Sequence, residues 1–304
     1  MNRSPEPSCG TPPRDRATSG PADPPEIAEQ RSAPPASSSA GAPEASSAAP
    51  PELTIDHGRM LELIAVEGQL LTAATHDVAP AAPVAGASGR TAAETVRDLG
   101  GLCEDVLSWL GATAETARTW TEPEPDDLPA ATHRFTARLA ELLAEFGTRP
   151  PDSPCPTWWP EQHTARFWIR RVLHATTVHR VDVQTAAGVE VTPIAADVAR
   201  DGIDEVLQAW LGYRLHALGI TSTRPCSVAV SAAGAEWLVH ADPQRTVVRR
   251  TGEGVADCAD GLVGGSPDQV YLWLWGRVPD RAVRTSGDPD AIAQLWGLLR
   301  LATR

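Results

Sequence analysis

The chain has 304 residues, a formal net charge of −13, and arginine at all 26 of its basic positions. An acidic balance with no basic block excludes nucleic-acid phosphate as a partner. The lack of lysine excludes Schiff-base chemistry and the phosphate-loop lysine of nucleotide hydrolases, and no apolar run reaches the ~20 residues that a bilayer span needs.

Residues 1–52 are crowded with Pro, Ser, Ala and Gly, as in Pro34-Pro35, Ser37-Ser38-Ser39 and Pro50-Pro51. Such a segment buries too little apolar surface to offset its ordering entropy, so it is read as a disordered tail. Leu53, Ile55, Met60, Leu61, Ile64, Leu70 and Leu71 then recur at helical spacing and predict a helix over 54–74. Thr91, three residues before Glu94, forms a capping box that opens a second helix through Val96, Leu99, Leu102, Val106 and Leu110. Asp127 caps a third, carrying Phe135, Leu139, Leu142, Leu143 and Phe146. The proline-rich link Pro150 to Pro160 leads into the longest helical pattern, over 161–187, and another helix runs from Ile194 to Leu211 after Pro193. Beyond Ile220 the period becomes two. Cys226 to Val230 and Trp237 to His240 predict a hairpin turning at Gly234, Thr246-Val247-Val248 adds a third strand, and Val255 to Val263 a fourth. Ser266 caps a helix through Leu274, and Asp288-Pro289 opens the last one. The expected class is α+β, with an all-helical part over 53–218 and a smaller α+β part over 219–304.

Five cysteines, odd in number and widely spaced, make neither a disulfide framework nor a CxxC zinc site. Together with the lack of an early apolar signal, they point to a reducing cytoplasm. Chemistry is concentrated on the long helix, in the run RFWIRRVLHATTVHRVD. At about 100° per residue, Trp168, Val172, Ala175 and His179 fall on one inward stripe, while His174 lies about 140° around the axis from His179. The two histidines therefore cannot share an ion in the manner of an HExxH pair. On spacing alone His179 is a core histidine satisfied by a neighbour, and His174, beside Arg170 and Arg171, is a solvated-face residue. Asp182 either orients the His179 imidazole or pairs with an arginine such as Arg180. The tryptophans read as core or contact residues, and at least one of Trp273 and Trp275 is expected to be exposed or at a contact.

That run, with the following AADVARDGIDEVL, closely resembles the mycothiol-dependent maleylpyruvate isomerase family. The stretches ADCADGLVGGSPDQVYLWLWGRVPD and SGDPDAIAQLWGLLR resemble the family's smaller C-terminal domain. The resemblance implies a DinB-like four-helix bundle followed by a small α/β domain. It also implies a divalent metal, zinc by analogy, held by a His on the second helix and a Glu and His four apart on the long one. In this sequence those positions are Asp98, Ala175 and His179, and the Cys-Pro-Gly-Trp that usually precedes the second helix is replaced by Pro83-Val84-Ala85-Gly86. Asp98 and His179 are thus the expected metal ligands, and alanine offers no donor atom. The cofactors implied are the metal and mycothiol, whose sulfur the metal would hold as a thiolate. Arg277 and Arg284 are the candidates for holding an acidic cofactor or substrate, no catalytic side chain being assigned.

Three readings follow. The first is a metal- and mycothiol-dependent isomerase or S-transferase acting on a small electrophile. The second is a binding or regulatory protein that keeps the fold without the chemistry, and the third is a carrier of an apolar ligand. The partners expected are a small thiol and a small electrophile, with no nucleic acid and no membrane, in a monomer or homodimer.

Overall fold

The computed structural model describes residues 55–84, 86, 89–111, 127–251 and 258–303. The expected tail over 1–52 lies outside them, as do most of the acidic loop before Asp127 and the first three residues of the expected fourth strand. Four helices come first: α1 (His57–Ala74), α2 (Ala92–Leu110), α3 (Leu128–Thr148) and α4 (Ala165–Ala187). Three are capped as their sequences dictate. Asp56 accepts from the Arg59 amide, Thr91 and Glu94 close a reciprocal capping box, and Asp127 accepts from the Ala130 amide. α2 packs on α3 and α1 on α4, burying Ile64, Leu71, Val96, Leu99, Phe135, Leu142 and Phe146 in one core.

α4 departs from an amphipathic pattern because it is buried on nearly every face. Several of its charged residues are buried too, Arg171, His174, Arg180 and Asp182 among them, each with a partner. The Arg180 guanidinium, fully buried, donates to Glu67 Oε2 at 2.7 Å and to Gln184 Oε1 at 2.9 Å. His174, read from its neighbours as a solvated-face residue, is instead fully buried, with Nε2 2.7 Å from Asp201 Oδ2. The periodicity misled because the face of α4 opposite the bundle core is covered by the next helix.

That helix, α5 (Ala196–Glu205), runs directly into a nine-residue π-helix, Val206–Arg214, and a last helical turn, α6 (Leu215–Ala217). Wider i→i+5 bonding, such as Leu215 N–H to the Trp210 carbonyl, marks the π segment, a geometry frequently found at functional sites. α5 packs against a later helix, α7 (Pro267–Leu274). Gly202 is what allows that approach, since a Cβ there would clash with the Tyr271 ring and the His174 imidazole.

The remaining chain forms a five-stranded mixed sheet from β1 (Cys226–Ala232), β2 (Ala235–Ala241), β3 (Thr246–Thr251), β4 (Gly261–Gly265) and β5 (Arg284–Gly287), in the order β3-β2-β1-β4-β5. The β1–β2 hairpin pairs Cys226 with Ala241 and Ala232 with Ala235. β4 runs parallel to β1, and β5 is an edge strand that the sequence pattern did not mark. The closing helix α8 (Pro289–Ala302), capped by Asp288, covers β1, β4 and the π segment. Among the described residues, no helix is long and apolar enough to cross a membrane.

Candidate functional site

A cavity of about 660 Å³ opens where α2, α4, the π segment and the ends of α7 and α8 converge. α4 contributes Arg171, Ala175, Val178 and His179, of which Ala175 and His179 belong to the stripe that the sequence placed inward. The π segment contributes Trp210 and Arg214, the residues after α7 contribute Trp275 and Arg277, and the last turn of α8 contributes Arg300. Arg90 and Trp158 complete the charged and aromatic parts of the wall.

Two carboxylates set the geometry on the α4 side. Asp182, 1 % exposed, receives a bidentate pair from Arg277, Nε to Oδ1 at 2.9 Å and Nη2 to Oδ2 at 2.8 Å, and lies 3.2 Å from His179 Nδ1. Burial opposes its ionisation, but the hydrogen bonds from Arg277 and His179 outweigh it and hold the carboxyl below the ordinary aspartate range. An ionised Asp182 takes the N–H of His179 Nδ1, which leaves Nε2 with a lone pair when the ring is neutral. Of the two roles the sequence allowed for Asp182, it thus orients the imidazole, and its arginine is Arg277; Arg180 belongs to Glu67. The second carboxylate, Glu205, pairs with Arg171, whose guanidinium carbon lies 5.1 Å from the Trp210 ring centre and 5.6 Å from that of Trp275. Such stacking fixes a planar cation against a rigid aromatic wall.

The cavity wall holds five arginines, in a protein whose net charge is −13. Arg90 pairs with Asp98, Arg171 with Glu205 and Arg277 with Asp182. Arg214 and Arg300 have no carboxylate partner among the described residues. Arg214 stacks 4.8 Å over Trp210, and its pKa is lowered by burial and by Arg171. Arg300 donates to the Leu274 carbonyl, stacks 5.2 Å over Trp296, and is brought down to about 10 by burial and by Arg277. Gly276, at φ 69°, makes room for it, because a Cβ at that position would overlap the Arg300 guanidinium.

The sequence candidates divide accordingly. His179, Ala175 and Arg277 line the cavity, whereas Arg284 lies exposed on β5. Asp98 is not part of the wall; its carboxylate is 2.9 Å from Arg90 Nη1 and 3.7 Å from Arg97 Nη2. Trp273 and Trp275 are both buried, Trp275 making the expected contact by packing edge-on against Trp210, 5.6 Å between ring centres. Arg171, Arg214 and Arg300 were missed as site residues. One of them left a signal, since Arg300 interrupts the apolar run Leu298-Leu299-Arg300-Leu301 in a helix with a buried face.

Residues 65–184 match the family described as the mycothiol maleylpyruvate isomerase N-terminal domain. Two solved structures share the fold. A mycothiol-dependent maleylpyruvate isomerase aligns with a TM-score of 0.52 at 14 % identity, over 77 % of this chain and 95 % of that one. A histidine-to-alanine mutant of a mycothiol-dependent maleylpyruvate isomerase gives 0.51 at 15 %, with the same coverage. No curated protein matches the chain significantly.

Proposed function

We propose that this chain, whose helical domain belongs to the mycothiol maleylpyruvate isomerase family, binds a small thiol and an acidic electrophile in the arginine- and tryptophan-lined cavity. The observation that carries this reading is the pairing of an oriented imidazole, His179 on Asp182, with two guanidinium groups in the same wall, Arg214 and Arg300, that lack carboxylate partners among the described residues. His179 Nε2 can accept a proton from a bound thiol, and nearby guanidinium charge favours the resulting thiolate. The thiolate would add to an unsaturated acid, which suits either isomerisation or S-transfer.

The metal that the family resemblance implies fits these residues poorly. Ala175 presents a methyl where a carboxylate would ligate, Asp98 is engaged by Arg90, and His179 already uses Nδ1 on Asp182. Among the described residues, no three His, Cys, Asp or Glu side chains are grouped so as to hold an ion. Zinc sites in enzymes ordinarily take three protein ligands, so no step is routed through a metal here. The second reading, a family member that binds without catalysing, is favoured by that same missing donor at position 175.

Calorimetric titration with mycothiol tests the proposal. Saturable binding that is lost in Trp210→Ala, together with turnover of an unsaturated acid that is lost in His179→Ala, is expected of the enzyme. Binding without turnover selects the second reading, and no saturable binding overturns both.

A further inference from the structure

Resting on that reading of the cavity, we propose that its positive charge is carried by two guanidinium pairs, Arg171 with Arg214 and Arg277 with Arg300, so that the chain holds an acidic ligand without a metal ion. In each pair one member is matched and the other is not. Arg171 has Glu205 and Arg277 has Asp182, whereas Arg214 and Arg300 have no carboxylate partner among the described residues. Each pair therefore carries one charge in excess, on an Arg300 that is buried and an Arg214 that is half-buried against Trp210.

The unmatched charges are held in position rather than left to swing. Arg214 lies over the Trp210 ring and Arg300 over that of Trp296, with a further bond to the Leu274 carbonyl. Gly276 admits Arg300 to this position, since any Cβ there would overlap it. Fixed, partly desolvated cations recognise carboxylates more strongly than surface arginines do, because little is left to reorganise on binding. At position 175 the same wall presents a methyl, which offers a metal ion no donor atom.

Maleate, a small dicarboxylate followed by tryptophan fluorescence on the full chain, provides the test. Affinity should be the same after dialysis against EDTA and after zinc supplementation. Arg214→Met and Arg300→Met should each weaken binding by about tenfold, the loss of one charge-assisted contact. Gly276→Ala, which removes no charge but displaces Arg300, should weaken it as well, while Arg245→Met on an exposed turn should change nothing. Unaltered circular dichroism would show that the variants fold. Maleate binding that requires zinc, or that survives both Met variants at full affinity, overturns the proposal. If mycothiol still binds in that case, only this inference fails; if neither mycothiol nor maleate binds with or without zinc, the reading of the cavity fails with it.

Discussion

Buried and half-buried arginines occur in two neighbourhoods of this protein, and they behave oppositely. On the outer flank of α4, every one is matched. Arg180 is bound by Glu67, Gln184 and the Thr192 carbonyl, and Arg170 by Asp201 and Asp204, with His174 and Tyr271 continuing the chain of contacts. In the cavity wall, Arg214 and Arg300 stay without a carboxylate among the described residues. Burial would lower the Arg170 pKa, but its carboxylates more than reverse this and raise it well above the ordinary value; for Arg300 the shift is downward, to about 10. The first neighbourhood is therefore finished by folding, and the second is left with charge that a ligand can answer.

The widest test of this contrast is Glu67→Ala, which strands the fully buried Arg180. Breaking a buried pair from one side costs about 3–5 kcal/mol, to be read from urea unfolding; a loss within the error of the extrapolation would remove the distinction between the two neighbourhoods. Asp201→Asn comes next, weakening contacts to Arg170 and His174 at an expected cost of about 2–3 kcal/mol.

The same aspartate sets a pH dependence. Burial works against its charge, but Arg170 and His174 prevail and hold its pKa far below the ordinary value. A depressed carboxylate contributes stability that is fully present above the unfolded-state value of about 3.9 and is lost as the pH falls through the folded value. Unfolding measured at decreasing pH below about 4 should thus show a steeper loss in the native protein than in Asp201→Asn.

The cavity side gives the opposite sign and a smaller effect. The folded pKa of Arg300 lies below its unfolded one, so at neutral pH its charged form opposes folding, an opposition relieved only as the pH rises past about 10. Arg300→Met should leave the melting temperature unchanged or raise it by the equivalent of about 1 kcal/mol, even as anion binding weakens. A clear drop in melting temperature would place Arg300 with the structural arginines. Smallest of all is the exposed pair Arg166 and Asp152, where Asp152→Asn should cost less than about 0.5 kcal/mol.

Much of the helical part was legible in the chain. The Thr91/Glu94 box and the Asp127 cap opened their helices where expected, because both depend on residues within one turn. The stripe bearing Ala175 and His179 was found because helical geometry alone places residues four apart on one face. His174 was misplaced for a complementary reason, since the helix that covers it starts over twenty residues later and nothing local to His174 announces it. Arg171, Arg214 and Arg300 were passed over because an arginine written in sequence carries no sign of whether an acid will reach it.

Composition, caps and periodicity determined by themselves that the body would be an all-helical part followed by a smaller α+β part, and that His179 would face inward, since each depends on short-range geometry or on summed apolar content. Only the tertiary structure decided which charges met. Asp182 closed on Arg277, 95 positions away, and Glu67 on Arg180, 113 positions away. Arg214 and Arg300 were carried into a shared wall by a π-helix and the last turn of α8. Coulomb energy depends on distance and solvent access after folding, and neither quantity is written in the order of the residues.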